Sequence, residues 1–94
     1  MAEHWSTRET TELFNAILKL KTSAECEKFF RDLCTLAEIR EMAKRWQAAE
    51  MIDRGIQFRQ IADKLKISTT TVARVAHWLY HGEGGYRLIL GRMK

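Results

Sequence analysis

Apolar residues recur at three- and four-residue spacing along most of the chain, which predicts amphipathic helices rather than strands. Ser6 and Glu9 have the spacing of a capping box, and Leu13, Phe14, Ile17 and Leu18 follow at helical intervals up to Lys19 and Lys21. Thr22 with Glu25 forms a second box ahead of Cys26, Phe29, Phe30 and Leu33. Thr35 with Glu38 forms a third and opens the longest helix. Its broad stripe runs from Leu36 and Ile39 through Met42, Ala43, Trp46 and Ala49 to Ile52, and it ends at Arg54 before Gly55 as carboxy-terminal cap. Gly82, Gly84 and Gly85 interrupt the pattern near the end and are read as a bend; Tyr86, Leu88, Ile89 and Leu90 then form a short last helix.

Between these lies FRQIADKLKISTTTVARVAHWL, residues 58–79, which reads as two short helices joined by a tight turn, a helix-turn-helix. In the second helix Val72, Val75, Ala76 and Leu79 keep the spacing of one buried face, while Thr70, Ala73, Arg74 and His77 fall opposite. In the first, Ile61 and Leu65 pack inward, and Ala62 is small where the two backbones must approach. Ile67 plugs the corner. Ser68 caps the second helix, its hydroxyl accepting the backbone N–H of Thr70 or Thr71. Lys66 fits least well, because it occupies the turn position where glycine would adopt a left-handed conformation freely and a Cβ costs ~1 kcal/mol or more. An ordinary helical hairpin in a core is the alternative.

The 94 residues suit a single domain spanning 1–94, all-α because proline is absent, with 46% hydrophobic and 30% charged residues. One long apolar stripe exceeds what a chain of this size easily covers, which points to a dimer paired through its amino-terminal helices, against a monomeric bundle. A net charge of +4 and a pI near 9.3 permit a polyanionic partner without demanding one. The absence of a long apolar run or a basic, apolar amino end implies a cytoplasmic protein with no membrane association. Cys26 and Cys34 read as small buried hydrophobes, since two isolated cysteines make neither a disulfide framework nor a zinc pattern. His77 and His81, four apart, lack supporting carboxylate or cysteine ligands, and no nucleophile context or phosphate-cradling loop argues for an enzyme, a metal or a cofactor.

Taken together, DLCTLAEIREMAKRW (Asp32 to Trp46), IDRG (Ile52 to Gly55) and the helix-turn-helix resemble the Trp repressor family, and more nearly its YerC/YecD branch. The likeness extends over LFNAILKLKTSAECEKFFRDLC (Leu13 to Cys34) and GGYRLILGRMK, so it takes in almost the whole chain. It implies a six-helix subunit in an intertwined homodimer, with the fourth and fifth helices as a DNA-reading head. Two heads would meet successive major grooves of double-stranded DNA about 34 Å apart on a pseudo-palindromic site.

The same resemblance assigns Arg59, Thr69, Thr70 and Ala73 to the DNA-facing surface. Arg59 has the fork for guanine O6 and N7, the threonines can bond a base edge or touch a thymine methyl, and the backbone amides after Ser68 can bind phosphate. Lys64 and Lys66 either supplement phosphate contacts or are simply solvated. An effector pocket is implied at Thr35, Arg45, Thr71 and Arg74, with surface or phosphate-facing charge as the alternative for the two arginines. Val75 and Trp78 depart from the repressor, which has glycine and serine there, and are expected to fill the cavity themselves, so that L-tryptophan is not required. The effector, if any, is unidentified. The leading function is a sequence-specific transcriptional regulator; the rival is a protein-interaction module using the same helical pair, for which exposed aromatic or aliphatic anchors would be the signature.

Overall fold

A computed structural model describes residues 4–94. Its helices are α1 (Arg8–Ile17), α2 (Ser23–Leu33), α3 (Leu36–Asp53), α4 (Phe58–Leu65), α5 (Thr69–His81) and α6 (Gly85–Met93), with no strand among the described residues. None of these helices is long and apolar enough to cross a membrane. The all-helical expectation and the number and order of the helices hold. The chain divides into two compact units, one ending at Leu36 and the other comprising Ala37–Lys94.

In the first unit the cap of α1 differs from the reading of Ser6 and Glu9. Thr7 is the N-cap, its hydroxyl accepting the Thr10 N–H at 3.2 Å while the Thr10 hydroxyl accepts the Thr7 N–H at 2.8 Å. Two threonine hydroxyls thus satisfy reciprocally what a serine and a glutamate satisfy in the commoner box. The Ser6 hydroxyl lies 3.3 Å from that of Thr10 and supports the cap from outside. At α2 Thr22 caps as expected, accepting the Glu25 N–H at 3.1 Å, but the Glu25 carboxylate reaches back to Lys21 N–H rather than to Thr22. No residue of α1 or α2 is buried. Phe14, Leu18 and Leu33 remain 44%, 79% and 50% exposed while Leu13, Ile17, Phe29 and Phe30 are half-buried, so the apolar stripes are present but only partly covered. Cys26 and Cys34 are free and half-buried, not the buried hydrophobes expected.

The core lies wholly in the second unit. Ala48, Ala49, Met51 and Ile52 of α3 meet Ile61, Ala62 and Leu65 of α4, the four predicted inward residues of α5, and Leu90 of α6. Only the carboxy-terminal part of the α3 stripe is therefore covered, while Leu36 and Met42 stay 42% and 37% exposed. α3 stops because Gly55, at φ +81°, reverses the chain: its N–H bonds the Ile52 carbonyl at 2.9 Å and the Ile56 N–H bonds Met51 at 3.1 Å, a paired arrangement that satisfies two orphan carbonyls.

Candidate nucleic-acid interface

α4 and α5 are joined by three residues, Lys66, Ile67 and Ser68, and each solves one local problem. Lys66 ends α4 in the left-handed region at φ 57°, ψ 47°, where its N–H and that of Ile67 both reach the Ala62 carbonyl. It is the one non-glycine residue with positive φ among the described residues, so the misfit read from the sequence is a real conformational cost. Ile67 packs half-buried against the core. Ser68 begins α5, its hydroxyl accepting the Thr71 N–H at 3.0 Å and lying 2.9 Å from the Thr71 hydroxyl. The helical pair runs from Phe58 to His81, two residues beyond the predicted end.

This corner gives the helical pair two distinct sides. Ile61 and Val72 are wholly buried and hold the two helices together, with Ala62 at 6% exposure allowing close approach. On the outside Arg59, Lys66, Ser68, Thr69, Thr70 and Ala73 are all exposed, and so are Arg74 and His77. Because the Ser68 hydroxyl takes the amide of Thr71, the third residue of α5, and Val72 N–H bonds the Ser68 carbonyl, the N–H groups of Thr69 and Thr70 stand at the helix start with no intrahelical partner. Polar side chains, a guanidinium and free amides at the positive end of a helix are the chemistry that meets a phosphate-lined groove.

A second feature lies behind α5. Arg45, Thr71 and Arg74, three of the four residues expected at an effector site, line one cleft of about 600 Å³ together with Val75 and Trp78. Thr35 belongs to the amino-terminal unit. The expectation that Val75 and Trp78 fill this space is corrected: Val75 is 2% exposed in the core wall, Trp78 stands 59% exposed at the rim, and the cleft stays open. Sequence reasoning missed Glu41, Lys44 and Tyr86 as further walls. Glu41 and Lys44 carried a signal, since they lie four and one residues before Arg45 on α3. Tyr86 carried none: it reaches the cleft only because the glycine-containing turn brings α6 back, stacking its ring 6.2 Å from that of Trp46. Trp46, expected in the core, is half-buried at its edge. His77 and His81 rings lie 5.3 Å apart, and among the described residues no group of three metal-ligating side chains accompanies them.

The comparisons with known proteins agree with this architecture. The uncharacterized protein YerC of Bacillus subtilis strain 168 is 40% identical over 87 residues, which covers 93% of this chain and 84% of YerC. A TrpR-like protein from Eubacterium eligens superposes with a TM-score of 0.89 at 37% identity, over 93% of this chain and 90% of that one. The model of the Trp repressor protein family matches residues 8–94. The chain accordingly belongs to the Trp repressor family, on the branch that YerC represents.

Proposed function

We propose that the protein is a sequence-specific, double-stranded-DNA-binding transcriptional regulator that acts in the cytoplasm as a homodimer through the helix-turn-helix formed by α4 and α5. The observation that carries this reading is the division of α5 into a fully buried apolar face and an exposed face bearing Thr69, Thr70, Ala73 and Arg74. In it, Arg59 reads a guanine edge, Thr69, Thr70 and Ala73 meet neighbouring bases, and Lys66 with the amides after Ser68 holds the phosphate backbone. Dimerisation is supported by the uncovered apolar residues of α1, α2 and the front of α3, which a second copy would bury. The cleft at Arg45, Thr71 and Arg74 is the place for an effector, with Thr35 added by resemblance alone. Val75 in its wall supports a protein that works without L-tryptophan, since a side chain takes part of the room.

One observation favours the rival reading as a protein-docking module: Trp78 and Tyr80 on α5 are 59% and 52% exposed, the type of side chain that anchors protein partners. A salt titration separates the two. DNA reading predicts nanomolar to micromolar binding to duplex whose log affinity falls linearly with log salt, by about 0.9 per neutralised phosphate. No measurable affinity for any duplex at low salt would reject it in favour of docking.

A further inference from the structure

We infer that Arg87 is a positioning residue that sets the angle between the reading helix α5 and helix α6, and through that angle the separation of two reading helices on DNA. The inference rests on the dimeric DNA reading proposed above. Its starting point is the connection between the helices, which is only Gly82, Glu83 and Gly84. Gly84 adopts φ +88°, and a main chain with glycine on both sides of a single residue allows many interhelical angles at similar cost. Something other than the connection must select one.

Arg87 supplies the selection. Its Nε donates to the Leu79 carbonyl at 3.0 Å, eight residues back and across the turn, and its guanidinium carbon lies 5.7 Å from the centre of the Tyr80 ring. Leu79 is within the last turn of α5, where carbonyls have no intrahelical donor and the helix dipole is negative. One planar cation therefore satisfies an orphan carbonyl, matches the dipole and rests on an aromatic face, a combination that lysine cannot reproduce. The other polar and aromatic ties in this segment lead elsewhere: Tyr86 of α6 stacks on Trp46, and Lys94, the residue after α6, pairs with Asp53 at 3.0 Å, both partners being on α3. Leu90 adds apolar contact, which has no direction.

The consequence lies in where α6 points. Leu88, Ile89 and Met93 are 53%, 41% and 60% exposed, so α6 carries an uncovered apolar face as α1 and α2 do, and in the proposed dimer that face joins the shared body. The α5–α6 angle then fixes how far apart two copies of α5 stand.

The test uses the full chain and duplexes carrying either one half-site or two half-sites with centres separated by about 8 to 12 base pairs. Wild type is expected to prefer one separation by about tenfold or more over its neighbours, since a rigid pair of heads meets only one register. Arg87→Met, which keeps length and loses the donor, is expected to stay dimeric and to bind the single half-site within about twofold of wild type, while its preference among separations falls to about threefold or less; Arg87→Lys should fall between. A purely structural role would weaken all duplexes alike and leave the profile unchanged. An unchanged profile in Arg87→Met overturns the inference, and if that variant unfolds, an unchanged profile in Arg87→Lys does so. A wild type that binds duplex but has no preferred separation instead overturns the dimeric reading on which the inference stands.

Discussion

Lys66 gives a perturbation whose energetic terms can be separated. Its backbone sits at φ 57°, ψ 47°, its side chain is exposed, and its structural duty is discharged by main-chain bonds: its own N–H and that of Ile67 reach the Ala62 carbonyl. Holding an L-residue in this region costs ~1–2 kcal/mol, from the close approach of Cβ to the carbonyl oxygen. Glycine removes that cost but brings back ~0.5–1 kcal/mol through its greater freedom in the unfolded chain. Lys66→Gly should therefore stabilise by about 0.5–1 kcal/mol. Lys66→Ala removes the same charge and keeps the Cβ, so it should show no gain, and the difference between the two variants gives the dihedral strain less the glycine entropy, free of any charge effect. For a domain of this size the glycine variant should melt roughly 3–6 °C above the alanine variant by circular dichroism at one fixed protein concentration. An alanine variant as stable as the glycine variant, or more stable, would refute the reasoning, because it would mean that the strain at the Cβ is no larger than the ~0.5–1 kcal/mol glycine loses through its freedom in the unfolded chain. Both variants lose the same positive charge, so if Lys66 holds phosphate both should show a salt slope shallower by about 0.9 for each half-site, or about 1.8 for the dimer on a full site.

Arg59→Ala should weaken binding by roughly 1–3 kcal/mol per half-site and relax base preference at one position of each half-site, measured by mobility shift; unchanged affinity and preference would remove Arg59 from the reading set. Ile61→Ala, at a wholly buried site, should lower unfolding free energy by about 2–5 kcal/mol in urea titration, and a loss below ~1 kcal/mol would show that the α4–α5 corner is not held by this side chain. Titration calorimetry with L-tryptophan should give no saturable complex at micromolar concentration; a well-defined one would show that Val75 leaves room for the ligand after all.

The second unit was largely legible because its apolar pattern and its covering elements lie in the same chain. Val72, Val75, Ala76 and Leu79 are read as one face and are buried as one face, since α4 supplies their partners. The Ser68 cap followed from residue type and position alone. In α1 and α2 the same periodicity marked an apolar face but could not say what covers it, and among the described residues none of that face is fully buried. Amphipathicity reports a need for a partner, and the partner's identity lies in another part of the surface. The cap at Thr7 was misread because Thr10 can replace the acidic residue by hydroxyl geometry, which a spacing rule for glutamate does not include. The cleft could not be assembled from periodicity: Arg45 and Arg74 are brought together by the path of the whole second unit, and the resemblance supplied what local pattern lacked. Arg87 was invisible for a related reason, because its contact with Leu79 depends on how three residues of turn bring α6 back onto α5.

Selection of bound duplexes from a random library, followed by sequencing, tests the central claim most directly. Two symmetric heads carrying Arg59, Thr69, Thr70 and Ala73 predict enrichment of an inverted repeat with half-sites about 10 base pairs apart, centre to centre. Enrichment of a single unrepeated motif, or of no motif, would contradict the account.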